Sequence, residues 1–242
     1  AYFTADVKPT IAASKQHVAA FAAGDVLFDW TEVQIPKGTS RIIGAAVLVR
    51  PKGNATPTAN PFGFFMVFSK TNTQTLGALN GVPDKVPSND LLGLLEVEST
   101  SSYVHANLKT NIGMAGRASN TSTQANVLIT PSQTGDNVGY DKFYVGGIAN
   151  GAFDFRSINT VASTAAAGTT VVCDGSSFLN ADHFLPGDIL QSATTVGANA
   201  ADTVMGTVAS ITNATTLELT TTSLDVFVDG AILYDQNPIR II

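Results

Sequence analysis

The stretch GTVASITNATTLELTTTSLDVFVDG, residues 206–230, sets the terms for the whole chain. It alternates apolar and polar residues with period two, and it is broken by Asn-Ala and Asp-Gly. β-Branched side chains favour a pleated strand, and threonine keeps the outer face polar without charge. Helical periodicity is scarce elsewhere. Its best case is IAASKQHVAAFAA, residues 11–23, which suits a short helix or an irregular strand ended by Gly24. These patterns predict an all-β protein.

In DVLFDWTEVQIPKG, residues 25–38, Thr31, Val33 and Ile35 fall on one face and Trp30, Glu32 and Gln34 on the other. Pro36 and Gly38 then suit a turn. RIIGAAVLVR, residues 41–50, is apolar on both faces and reads as one central strand buried between layers. FGFFMVFSK, residues 62–70, repeats this with aromatics, and GNATPTANP between them is a loop. Residues 91–98, 102–109, 124–130 and 140–148 are further strands. NIGMAGRASNTST, residues 111–123, is small and polar and predicts a long loop or an arm.

TVASTAAAG, residues 160–168, reads as a connection, and it coincides with a change in charge. Residues 1–156 hold 12 Lys/Arg and 11 Asp/Glu; residues 157–242 hold one, Arg240, and eight. Two units are therefore expected: an antiparallel β-sandwich of jelly-roll type over 1–158, and a small acidic β-barrel or sandwich module over 159–242. The second would carry the runs TTVVC, FLPGDIL, DTVMGTVASI, TTLELT, VFVDGAILY and IRII, with a hairpin at Asn213-Ala214.

Little in the chain points to catalysis. His17, His105 and His183 stand apart, so neighbouring metal ligands are not spelled out. Asp182 and His183 are adjacent, a spacing that points their side chains apart in a strand. Gly175-Ser176-Ser177 does not make a nucleophile elbow. The glutamates are Glu32, Glu96, Glu98 and Glu218. Glu96 and Glu98 share a strand face, which a solvated surface explains. Aspartates in DGSS, PGDIL and FVDG suit turns, and the spacing of a calcium loop is missing. Gly146-Gly147 lacks the lysine of a phosphate loop. Asn54, Asn120 and Asn213 match the glycosylation pattern, an expected by-product of a threonine-rich chain. Cys173 reads as a small buried hydrophobe, and Trp30 and the other aromatics as core. The expectation is a non-enzymatic protein with no catalytic, cofactor or metal residues.

Charged residues make up only 13% of the chain. A polar, weakly charged surface can be packed against another protein without stripping water from many ions. The acidic unit is a poor ligand for phosphate backbones, so no nucleic-acid partner is expected. The N-terminus shows no basic start with an apolar core, and no apolar run reaches transmembrane length, so the reading is a soluble chain made in a cytoplasm. A leading Ala reads as the remainder of a trimmed Met.

Two stretches resemble virion proteins of tailed bacteriophages. FDWTEVQIPKGTSRIIGAAVLVR, residues 28–50, resembles the opening sheet of structural proteins from phages of the marine cyanophage type. FLPGDILQ with GTVASITNATTLELT resembles a small β module appended to phage capsid, tail and baseplate proteins. The resemblance implies a virion structural role, capsid decoration (cement) on the lattice of the major capsid protein, with a tail, baseplate or receptor-binding (carbohydrate-adhesin) role as the alternative. It implies assembly in the host cytoplasm and carries over no functional residues. A homo-oligomer, taken as a trimer on a lattice axis, is expected, with the first unit docking and the acidic unit facing outward.

Overall fold

The computed structural model describes residues 2–50, 63–84, 91–97, 111–115, 127–129, 141–152, 154–156, 168–173, 184–195, 200–221 and 229–242. The chain is all-β, with antiparallel sheets and, among the described residues, one short helix. In order come α1 (Ala13–Val18), β1 (Val26–Gln34), β2 (Ser40–Ile42), β3 (Ala45–Val49), β4 (Phe64–Ser69), β5 (Leu91–Val97), β6 (Asn111–Ala115), β7 (Val127–Ile129) and β8 (Lys142–Ala149). Then follow β9 (Thr170–Val172), β10 (Ile189–Ser192), β11 (Val204–Asn213), β12 (Thr216–Leu219), β13 (Leu233–Asp235) and β14 (Ile239–Ile241).

The larger sheet has seven strands in the order β1-β8-β4-β5-β6-β3-β14. Phe28 pairs with Gly147, Gly147 with Met66 and Met66 with Leu95, so these four share one face across four strands. That face is the inner one, where Phe28, Phe64, Met66, Leu95 and Val97 join the main core. The ribbon of β2 and β7 packs on β5 and contributes Val127 and Ile129 to the same core. Burial of this apolar set drives the unit's folding.

The paired glycines of β8 serve both faces of the sheet. A Cβ on Gly147 would lie 2.3 Å from the Phe28 ring, and one on Gly146 would lie 2.5 Å from a Leu76 methyl and 3.1 Å from the Trp30 ring. Their role is clearance for close packing.

The smaller sheet has the order β13-β10-β11-β12-β9 and encloses Phe184, Leu190, Met205, Leu217, Leu219 and Leu233. β11 and β12 form a hairpin in which Asn213 pairs with Thr216 and the Asn213 side chain accepts the Thr215 amide at 2.9 Å. Among the described residues the sheet is open, with β13 and β9 at its edges, so a closed barrel is absent there.

Several expectations are corrected. Residues 41–50 are not one buried strand: Ile43 and Gly44 are exposed and divide the run into β2, in the ribbon, and β3, near the edge of the large sheet. A chain that changes sheets must break its pairing at the corner. Residues 111–115 are strand β6, held between β5 and β3, where pairing on both sides outweighs a composition of small residues. The boundary at 158/159 fails for IRII. Ile239, Arg240 and Ile241 pair with Val49, Leu48 and Val47 of the first sheet, and Ile241 also bridges Val7. The expected strand at 102–109, the loop remainder at 116–123 and most of the connection at 160–168 lie outside the described residues.

Candidate functional site

The two β-units are stitched together from both ends of the chain, and the seam is the most elaborate polar region described. From the N-terminal side comes α1. It has no side-chain cap of its own, since Ala12 stands at the N-cap. A helix start leaves its first amide groups unsatisfied. Here the second unit satisfies them: the Ala13 amide donates to Gln191 Oε1 at 3.3 Å and the Ser14 amide to Asp202 Oδ1 at 2.7 Å. The Ser14 hydroxyl donates to Asp202 Oδ2 at 2.7 Å. Asp202 occupies the left-handed region, with φ of 70°, which presents its carboxylate to the helix. Gln16 is buried and donates from Nε2 to the Ile11 carbonyl at 2.7 Å and the Asp235 carbonyl at 2.9 Å.

On the other side of the seam, Arg50 follows β3 and reaches into the second unit. Its Nη2 donates to Asp188 Oδ1, and its Nε lies 3.7 Å from Asp235 Oδ2. Asp188 stands one residue before β10, and Asp235 ends the adjacent β13, where it pairs with Leu190. Asp188 Oδ2 also accepts the Leu185 amide at 2.7 Å, the turn role expected of PGD. Asp235 Oδ1 accepts the Asn237 amide at 3.0 Å. Burial, followed by the charge of Asp188, pushes the Asp235 carboxyl up to about 6, against the pull of its amide donors and Arg50.

These groups line a pocket of about 210 Å³, with Lys8, Leu48, Pro186, Asn237 and Arg240 around them. Arg240 is held there by Asp6, which receives both Nε and Nη2 at 2.7 Å. That pairing keeps the Asp6 carboxyl below the usual aspartate range. Among the described residues of the pocket Arg50 alone faces the carboxylates of Asp188 and Asp235, and what the arrangement does chemically is hold the units together.

The fold disperses the other candidate residues. Glu32 pairs with Lys142 at 3.1 Å, Glu96 accepts from Asn150, and Glu218 accepts the Thr170 hydroxyl at 2.9 Å. They stand on β1, β5 and β12, away from one another in the sheets. His17 meets the Tyr234 hydroxyl at 3.0 Å through Nδ1. Cys173 is buried in the second core. The half-buried Trp30 donates its indole N–H to the Gln74 carbonyl at 2.7 Å. His105, Asp182, His183, Glu98, the Gly175-Ser176-Ser177 run, Asn54 and Asn120 lie outside the described residues. Among the described residues no three His, Cys, Asp or Glu gather as metal ligands, and no helix is long and apolar enough to cross a membrane.

No family model, curated protein or solved structure matches the chain.

Sequence reasoning missed the meeting of Arg50, Asp188 and Asp235. One signal was present: residues 157–238 hold eight Asp/Glu and no Lys or Arg. A unit so composed can neutralise a buried carboxylate only by protonation or with a cation from elsewhere.

Proposed function

We propose that this chain is a non-enzymatic structural protein of a tailed-phage virion, a capsid decoration protein that binds the lattice of the major capsid protein through its first unit. The stitching of the two units carries this reading. β14 completes the first sheet, α1 is capped by the second unit, and Arg50 crosses between them. Binding to a repeated lattice is recognition by shape, and a body that does not flex on docking loses less entropy. The surface supports the orientation. Of the 11 exposed large apolar side chains described, eight lie between Tyr2 and Leu128, including Ile43, Leu94 and Leu128. Exposed apolar side chains favour protein contact, whereas the acidic second unit discourages association between particles.

The test is the copy number of this chain in purified particles, relative to the most abundant shell protein. One copy per shell subunit, or one per three, is expected. A dozen copies or fewer would assign it to a vertex or tail, and absence from particles would defeat the virion reading.

A further inference from the structure

Asp188 and Asp235 are brought to the same end of neighbouring strands, with side chains only 10% and 8% exposed. Arg50, 12% exposed, faces both. One guanidinium therefore confronts two buried carboxylates. With both ionised, the trio carries an excess negative charge where water is scarce, which is costly. Among the described residues the other charged groups lining the pocket are Lys8 and Arg240, and Arg240 is committed to Asp6. His17 lies beyond Tyr234 on the side of α1. The backbone around the trio belongs to both units: the Arg50 amide donates to the Pro238 carbonyl at 2.9 Å, and the Gln236 amide to the Ile189 carbonyl at 2.8 Å.

We propose that Arg50, Asp188 and Asp235 form a proton-operated latch between the two β-units, tight when Asp235 holds a proton and looser when both carboxylates are ionised. The inference stands on these three side chains and is independent of the virion reading. The upward displacement of the Asp235 carboxyl to about 6 puts the transition in mild acid. Because the folded value is raised, the stabilisation is complete below the ordinary aspartate value near 4 and is lost as pH rises through 6. Loosening would begin at the hydrogen bonds of Arg50 and Gln236, since these join the latch to the strands on either side.

The direct test is a ¹³C carboxyl NMR titration of the full chain from pH 4 to 8, with the Asp235 signal assigned by its loss in D235N. A midpoint near 6 is expected; one below 4.5 overturns the latch. This reading can be made on the wild type, with assignment by backbone correlation, should D235N fail to fold. The second measurement is hydrogen exchange at the Arg50 and Gln236 amides, divided by the intrinsic rate at each pH. Protection should fall roughly tenfold to 100-fold between pH 5 and 7.5 in the wild type. It should be flat in D235N, which mimics the protonated side chain. Equal pH dependence in the wild type and D235N, or its disappearance in H17N, would overturn the proposal.

Discussion

Arg50 and Asp188, 138 residues apart, share a hydrogen-bonded ion pair that crosses from the first β-unit to the second. The cation comes from a unit of balanced charge, and the anion from a run of residues, 157–238, that has no cation of its own. Cohesion of the units is thus written into their unequal composition.

Removing that cation should be costly, and more so at neutral pH. R50M leaves two buried carboxylates without their guanidinium, a change expected to cost about 3 kcal/mol at pH 7. The cost should be smaller at pH 5, where Asp235 is largely protonated. Urea unfolding at the two pH values checks this.

The Asp6–Arg240 pair should behave in the opposite sense. Its side chains are 46% and 45% exposed, so D6N is expected to cost under about 1 kcal/mol, less at high salt. The Asp6 carboxyl is held low, so its contribution is present above pH 4 and lost as pH falls through the folded value. Thermal melts of wild type and D6N between pH 2.5 and 5 should converge at the acid end.

Gln16 has a buried amide that satisfies two carbonyls, those of Ile11 and Asp235. Q16L keeps much of the volume and strands both acceptors, an expected loss of about 2 kcal/mol. For a chain of this length that lowers the melting midpoint by about 4–8 °C.

The two glycines of β8 should differ. G147A drives a methyl into the Phe28 ring, which is wholly buried, and should cost about 2–3 kcal/mol. G146A meets the movable end of Leu76 first and should cost less. Adding F28L to G147A should recover part of the loss, with a coupling of about 1 kcal/mol in a double-mutant cycle.

Trp30 is the sole tryptophan and sits on β1, so its fluorescence reports the first sheet. In the intact chain it should unfold together with the far-ultraviolet circular dichroism signal, because the units are stitched at three places. Deleting residues 239–242 removes Ile239 and Ile241, both buried, and should lower the unfolding free energy read from Trp30 by about 4 kcal/mol or more. It follows that residues 157–242 cannot be removed as a block to ask what the first unit does alone; the strand at 239–241 has to stay.

Much of the fold was legible because period-two patterning is a local property. Strands β4, β5, β8, β11 and β12 fall where the alternating or apolar runs placed them. What stayed hidden is non-local. β6 has little β-propensity and is a strand because β5 and β3 flank it. α1 has no local cap, and its amides are met by residues 191 and 202. IRII has an ordinary strand pattern, and nothing in that pattern says which sheet it joins. The same holds at the seam. The turn role of Asp188 follows from PGD, but its meeting with Asp235 and Arg50 depends on which strands become neighbours.

The place of β14 also orders events during synthesis. A ribosome releases residues 26–149, nearly all of the large sheet, well before it reaches residue 239. Through that interval the outer edge of β3 has no β14 to pair with. Open strand edges invite pairing with other chains, and crowded nascent copies are where that hazard is greatest. Strand β14 therefore acts as a late cover, pairing the exposed edge of β3 only once translation has passed residue 241.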